Sequence, residues 1–415
     1  MLFYRPPIIK FTTQKEEEGI MKNQDNIILQ GGKNNMKAKD VLLLFFLINI
    51  MYWGTACAEF LPTTNLQGFG FKIFRVESGL YPFVQIYMRT FDQNMNPLVN
   101  LNERNIGIMV QGRSYDWRKS QYRIFSIRNR NEPIRTVIVL DTSGSMAGNP
   151  FNNAKRAISR FIDGKRPQDQ VAIIALADNA EGYELVSNFE RNRVVLGNRL
   201  KDLKANVRKS RLYDAIGAAM QLGGSALVGG SNSKDITYTA STSIIVFSDG
   251  HDEGSAISRT DLMTRIAELE IPIPIYSLAY TKSSPKYLRN LQALSKNSFG
   301  KYYGINKTLE KMTRCVEDIQ NIVQNDYVVT FRAYLPVDGE LHNGKIGVEY
   351  PSNSGNIMYQ SFKFEAIEPP PVEKIRNALI GWDRLIPPVK DGNPYVEGGA
   401  SAYIPRGIKS KGVRK

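Results

Sequence analysis

The chain has 415 residues, of which 42% are hydrophobic and 23% charged, and a formal net charge of +14. That length accommodates two or three domains at roughly 100–200 residues each, and the apolar content excludes a chain that is disordered throughout. Two cysteines, Cys57 and Cys315, exclude a disulfide scaffold or a cysteine-based zinc cluster, and two histidines, His251 and His342, leave histidine catalysis few candidates. The basic residues are scattered except in the last fifteen, "SAYIPRGIKSKGVRK", which hold five Lys or Arg and no acid. This stretch reads as a solvated tail. No nucleic-acid-binding motif accompanies it, so no nucleic-acid partner is expected.

In chain order, residues 1–58 read as an N-terminal extension ending in a signal peptide. "VLLLFFLINIMYW", Val41–Trp53, is nearly all apolar and follows Lys37 and Lys39. Its thirteen residues are too few to cross about 30 Å of hydrocarbon as a helix, so a signal h-region is preferred. "ACA" at Ala56–Ala58 supplies a small-x-small cleavage pattern before Glu59. Cys57 also ends "GTAC", which is similar to a bacterial lipoprotein box, but Gly54 stands where that box prefers Leu. Lipidation at Cys57 therefore ranks second and an uncleaved signal anchor third, and either would give membrane association. The expected location is extracytoplasmic: periplasm, cell surface or secreted.

Residues 66–130 read as strands of a small antiparallel β-sandwich. Val84, Ile86 and Met88 alternate with Gln85, Tyr87 and Arg89, the period of a half-buried strand, and "DQNMNP" follows as a turn. Residues 133–325 differ. "TVIVL", "VAIIAL", "SIIVF" and "IPIYSLA" are near-continuous apolar runs, as suits parallel strands covered on both faces. Helical periods lie between them: Ala154, Ala157, Ile158, Phe161 and Ile162; then Leu262, Ile266 and Leu269; then Leu288, Leu291 and Leu294. A last helix carries Leu309, Met312, Val316, Ile319 and Val323, with Cys315 as a small buried residue. Strands alternating with helices predict an α/β fold with a doubly wound, mostly parallel sheet. Residues 326–367 return to strands, "YVVTFRAYL" and "KIGVEYP", which are expected to pack with the N-terminal ones, making the α/β block an insertion into one sandwich. Residues 368–415, Pro-containing and basic, read as a disordered tail, with "ALIGWDRLIPPV" as a segment that could dock locally.

The chemistry gathers where apolar strands end. In an open α/β sheet, ligands collect beyond the carboxyl ends of the strands. Asp141 directly follows Leu140; Ser143 and Ser145 come at i+2 and i+4, and Gly144 permits a sharp turn. Asp249 stands at the end of a second apolar run, in "SIIVFSDGHDEG". Two carboxylates at neighbouring strand ends repel when ionised unless a cation lies between them. Hydroxyls and carboxylates suit a hard ion, Mg²⁺ or Mn²⁺, with Ca²⁺ also compatible. An isolated strand-end Asp more often just caps a helix; the second strand-end Asp favours the metal.

Here the chain resembles the von Willebrand factor A domain, whose metal-ion-dependent adhesion site uses Asp-x-Ser-x-Ser. "DTSGSM", "RPQDQVAIIALADNA", "SRLYDAIGAAM" and "VFSDGHDE" carry the likeness, over residues 133–325. The resemblance implies that Ser143 and Ser145 ligate the ion through their hydroxyls, with Ser210 in the place where the family has Thr. It implies that Asp141 and Asp249 hold the ion mainly through waters, and it puts Asp252 near the rim, where a plain loop role is at least as natural. It also implies a protein partner that offers Asp or Glu to the ion. "VQIYMRTFDQNMNPLVNLNERNIGIMVQG" loosely resembles an immunoglobulin-like segment of bacterial secreted proteins. The expected function is an exported, metal-dependent protein-binding module and not an enzyme. The alternatives are a structural envelope scaffold whose metal only stabilises the loop and, behind it, a metal-assisted hydrolase. Against catalysis, neither G-x-S-x-G nor a phosphate-binding GxxxxGK[ST] is present at the site, and His251 reads as a solvent-facing loop residue.

Overall fold

The computed structural model describes residues 68–224, 227–228, 237–238, 240–269, 271–280, 284–305 and 309–371, together with 373, 375, 378 and 379. The expected leader over 1–58 with Cys57, most of the Gly/Ser-rich loop after Leu222 and the basic tail beyond 379 lie outside the described residues.

Five strands precede the α/β block: β1 (Phe69–Leu80), β2 (Phe83–Asp92), β3 (Ile106–Val110), β4 (Arg113–Ser114) and β5 (Tyr122–Ser126). The block follows in the order β6 (Ile134–Leu140), α1 (Asn149–Gly164), β7 (Gln170–Leu176), β8 (Tyr183–Glu190), α2 (Arg193–Asp202), α3 (Leu212–Gly223), a short hairpin of β9 (Leu227–Val228) and β10 (Thr237–Tyr238), and β11 (Ser241–Ser248). It continues with α4 (Arg259–Glu268), β12 (Ile275–Tyr280), α5 (Pro285–Asn297), β13 (Tyr302–Ile305) and α6 (Leu309–Gln324). β14 (Tyr327–Arg332), β15 (Leu341–Glu349) and β16 (Ile357–Glu365) come last.

The central sheet has the order β13-β12-β11-β6-β7-β8 and is parallel except for β8 at one edge. The apolar runs are explained by its two covered faces. Ile138, Leu140, Ile173, Ile245 and Phe247 pack on α1, α2 and α6. Val137, Val139, Ile174, Ile244 and Val246 pack on α3, α4 and α5. Cys315 is buried on the first of these faces, and that burial pushes its thiol up.

The terminal strands form two antiparallel four-stranded sheets, β1-β2-β14-β5 and β16-β15-β3-β4, whose apolar faces share one core. β14, the first strand after the α/β block, lies between β2 and β5. The chain leaves the sandwich at Ser126 and re-enters at Tyr327, and these two residues are register partners. The Ile127 N–H donates to the Asp326 carbonyl at 2.8 Å, and Ser126 Oγ to the Gln324 carbonyl at 2.9 Å.

One expectation needs correcting. β2 is not half-buried: its polar face is covered as well as its apolar one. Val84, Ile86 and Met88 enter the sandwich core, while Tyr87 joins the core of the α/β block. Arg89, on that same second face, forms a bidentate ion pair with Asp326 through Nε at 2.7 Å and Nη2 at 2.6 Å. At the start of the tail Ile375 and Leu379 are buried against Phe83, Leu379 lying in the segment expected to dock locally and Ile375 just before it.

Candidate metal centre

β6 and β11 are parallel neighbours with Leu140 opposite Phe247, so their carboxyl ends reach the sheet rim together. The Asp141 N–H continues the ladder by donating to the Phe247 carbonyl at 2.9 Å. Asp141 is completely buried. Its Oδ1 accepts the Ser143 N–H at 2.9 Å, and its Oδ2 accepts the Ser248 hydroxyl at 2.6 Å. Beyond it, Thr142 Oγ1 donates to the Leu176 carbonyl at 2.7 Å and so fastens the loop to the end of β7. Gly144–Met146 make one tight turn that buries Met146 under α1, and Gly148, at φ 83°, turns the chain into that helix. Ser143 Oγ and Ser145 Oγ are left 3.0 Å apart, with Ser145 exposed.

The segment before α3 is zipped to this loop by backbone bonds. The Val207 N–H donates to the Thr142 carbonyl at 3.1 Å, and the Gly144 N–H donates to the Val207 carbonyl at 3.0 Å. Three residues on, the buried Ser210 donates its hydroxyl to the His251 carbonyl at 2.8 Å. Asp249, 7% exposed, accepts the His251 N–H at 3.0 Å. Gly250 makes this turn at φ 82°, and a Cβ there would stand 2.9 Å from the Tyr287 carbonyl oxygen, so only glycine fits without movement. Asp141, Ser143, Ser145, Ser210 and Asp249 thus occupy three chain segments joined by hydrogen bonds at one edge of the sheet.

Burial pushes the Asp141 carboxyl up to about 6, against hydrogen bonds from Ser143 and Ser248 that favour the anion; the neighbouring Asp249 adds to the rise. Among the described residues there is no cluster of three or more His, Cys, Asp or Glu side chains. The candidate donors at this rim are two carboxylates and three hydroxyls, all oxygen. That chemistry fits a hard divalent ion, and soft metals would find no ligand of their preference.

Several polar residues here hold the structure together. Asp252 accepts the Tyr213 N–H at 3.0 Å and the Ser255 hydroxyl at 2.6 Å, which is the plain loop role and ties the start of α3 to the β11 loop. Asp214 accepts the Ala256 and Ile257 N–H groups, each at 2.9 Å, and pairs with Arg211 at 2.6 Å. His251 is only partly solvent-facing, because its ring meets Tyr287 edge-on with centroids 4.6 Å apart. Sequence reasoning missed Ser248. The only signal for it was a polar residue at the last position of an apolar strand.

Residues 136–251 match the family model described as von Willebrand factor type A domain. No curated protein matches the sequence. Several solved structures are similar. One is a von Willebrand factor type A protein from Catenulispora acidiphila, at 11% identity and TM-score 0.38, covering 72% of this chain and 73% of that one. Another is the pilus adhesin SpaC from Lactobacillus rhamnosus GG in an open conformation, at 9% identity and TM-score 0.36, covering 71% of this chain and 47% of that one. A third is the VWA domain of SpRpn10, at 14% identity and TM-score 0.34, covering 44% of this chain and 94% of that one.

Proposed function

Taking residues 136–251 as a von Willebrand factor type A domain, we propose that the chain is an exported, metal-dependent protein-binding module with no catalytic role of its own. The hydroxyls of Ser143, Ser145 and Ser210 would hold Mg²⁺ or Mn²⁺, or Ca²⁺ in their place, with Asp141 and Asp249 anchoring it through waters. When bound, the ion supplies a Lewis-acid centre that hydroxyl ligands leave under-neutralised and open to an Asp or Glu of a partner protein. The chain's own residues do the rest. Ser248 orients the Asp141 carboxylate, the Val207 backbone bonds fix the spacing of two ligand segments, and Gly250 turns Asp249 toward the rim.

One observation carries this reading: the buried Asp141 accepts the Ser143 N–H and the Ser248 hydroxyl at the strand end, where the neighbouring carboxylate of Asp249 adds to the rise of its own. The bonds of the set's hydroxyls disfavour a serine nucleophile, since none of them goes to a base. Ser143 and Ser145 bond each other, and Ser210 bonds a backbone carbonyl. Export through the apolar run at 41–53, with membrane attachment by an anchor or by Cys57, belongs to the same reading.

The experiment is capture of partner proteins on the immobilised chain in Mg²⁺ and in chelator, beside Asp141→Ala. Capture that needs both the ion and Asp141, from a variant that stays folded in chelator, supports recognition. Capture that persists in chelator while stability falls would make the ion a structural staple and the protein a scaffold.

A further inference from the structure

Asp214 stands in the first turn of α3, where an acidic side chain ordinarily serves the free N–H groups of its own helix. Here both carboxylate oxygens leave that helix. Oδ2 accepts the Ala256 N–H and Oδ1 the Ile257 N–H, each at 2.9 Å, across 42 and 43 positions of the chain. Oδ2 also accepts Arg211 Nε at 2.7 Å, and the Asp214 side chain is buried. The Asp214 N–H, one of those a helix leaves unpaired at its start, donates to the Ser255 hydroxyl at 3.3 Å.

These bonds close a short circuit around two of the candidate ligands. Ser210 comes just before α3, and Asp249 just before the loop that holds Ala256 and Ile257. Between those points the same two segments meet three more times. The Ser210 hydroxyl donates to the His251 carbonyl at 2.8 Å, the Glu253 N–H to the Ser210 carbonyl at 2.5 Å, and the Tyr213 N–H to Asp252 at 3.0 Å. Asp214 fixes the far end of this ladder with two bonds and an ion pair. Arg211 carries the brace to a third loop, where its Nη1 donates to the Ala180 carbonyl at 2.5 Å. Gly182, at φ 81°, lets the arginine pass, since a Cβ there would stand 2.5 Å from Arg211 Cδ.

We infer that Asp214 is a positioning residue of the candidate metal centre: by holding the start of α3 to the loop after β11, it sets the spacing between Ser210 and Asp249. A shift of α3 would also move Ser210 against Val207, whose backbone bonds hold the Ser143 loop. The consequence for ion binding rests on the proposed function, whereas the spacing stands on the hydrogen bonds alone.

The test compares Asp214→Asn with Asp326→Ala, in chelator-stripped full-length protein. Asp326 lies near the amino ends of the central strands, beside Ile127 and the Arg89 that meets the Tyr276 ring, so its loss lowers stability from the end of the sheet away from the rim. In Asp214→Asn an amide group sets a donor against the Ala256 N–H or Arg211. Calorimetric titration of Mg²⁺, at a temperature where far-UV spectra show each protein folded, should give an affinity about tenfold weaker in Asp214→Asn and unchanged in Asp326→Ala. Amide exchange reads the spacing with no ion present. The N–H groups of His251, bonded to Asp249 at 3.0 Å, and of Glu253 should exchange about tenfold faster in Asp214→Asn and at the wild-type rate in Asp326→Ala, because loop amides open locally. Gly182→Ala, which crowds Arg211, should move both readouts the same way by a smaller factor, and it serves in place of an Asp214→Asn that does not fold. Exchange at the wild-type rate in Asp214→Asn overturns the inference whether or not the ion binds. An equal loss of affinity or protection in Asp326→Ala also overturns it, since Asp214 would then act through stability alone. Wild type that binds no ion while Asp214→Asn loses protection would sink the metal reading and uphold the spacing.

Discussion

Replacing Asp326 with alanine strands the Arg89 guanidinium inside the wall shared by the sandwich and the α/β block. The two side chains are 1% and 2% exposed, and two hydrogen bonds of 2.7 and 2.6 Å join them, so water cannot replace the lost carboxylate without opening that wall. Removing one member of such a buried pair costs about 3–5 kcal/mol. The contacts of Arg89 with the Phe74 and Tyr276 rings, at 4.9 and 5.7 Å, persist and do not neutralise its charge. At about 2–4 °C per kcal/mol for a domain of 150–250 residues, a loss near the middle of that range lowers the melting temperature by roughly 8–16 °C. Thermal melts and urea titration would measure it. A second variant completes the cycle: Arg89→Met with Asp326→Leu removes both charges and should lie within about 2 kcal/mol of wild type. A single variant that costs less than about 1 kcal/mol, or a double variant less stable than the single, would refute the reasoning, since either means the pair is already hydrated.

Three more outcomes follow from the geometry of the rim. In chelator the folded protein keeps a proton on Asp141 up to about pH 6, whereas the unfolded chain releases it near the ordinary aspartate value of 3.8. The folded state thus binds more protons between these values, so stability should fall as pH rises through that window, by about 3 kcal/mol in all; an Asp141→Asn variant that kept the full slope would assign it elsewhere. Ser248→Ala removes the hydroxyl that bonds Asp141 Oδ2 and should weaken Mg²⁺ binding about tenfold while leaving the far-UV spectrum unchanged, and calorimetric titration at unchanged affinity would show that the hydroxyl orients nothing. Gly250→Ala forces a residue with a Cβ into φ 82° against the Tyr287 carbonyl, which should cost about 1–3 kcal/mol and displace Asp249; wild-type melting and metal affinity together would contradict the assignment of that turn.

Much of the fold was legible because the physics is local. The runs through Val137–Leu140 and Ile244–Phe247 are continuous where both faces of a parallel sheet are covered, and the helices between them carry apolar stripes that meet those faces. β8 was illegible, because it is an antiparallel edge strand with two register shifts against β7 and its burial does not alternate. α2 escaped for a related reason: Val194 and Val195 at its start point to solvent, and only Leu196 and Leu200 are buried. The polar face of β2 showed its polarity but not its partner, since Asp326 lies 237 positions away in sequence. At the rim, Asp141 and Asp249 announced themselves as carboxylates ending apolar strands, and Ser143 and Ser145 by their spacing. Ser210 could be placed only through family resemblance, because its nearness depends on the backbone bonds of Val207 to the first loop. Ser248 gave almost no signal, for its role exists only once two strands lie side by side.

The most direct measurement is calorimetric titration of Mg²⁺ and Mn²⁺ into chelator-stripped full-length protein, paired with thermal melts and repeated on Asp141→Ala. One saturable site should appear in the wild type with a rise in melting temperature, worth about 2.7 kcal/mol at an ion concentration one hundred times the dissociation constant, and both signals should vanish in the variant. Wild-type protein that shows neither heat nor thermal shift with either ion would contradict the metal-dependent reading, as would a variant that binds as wild type does.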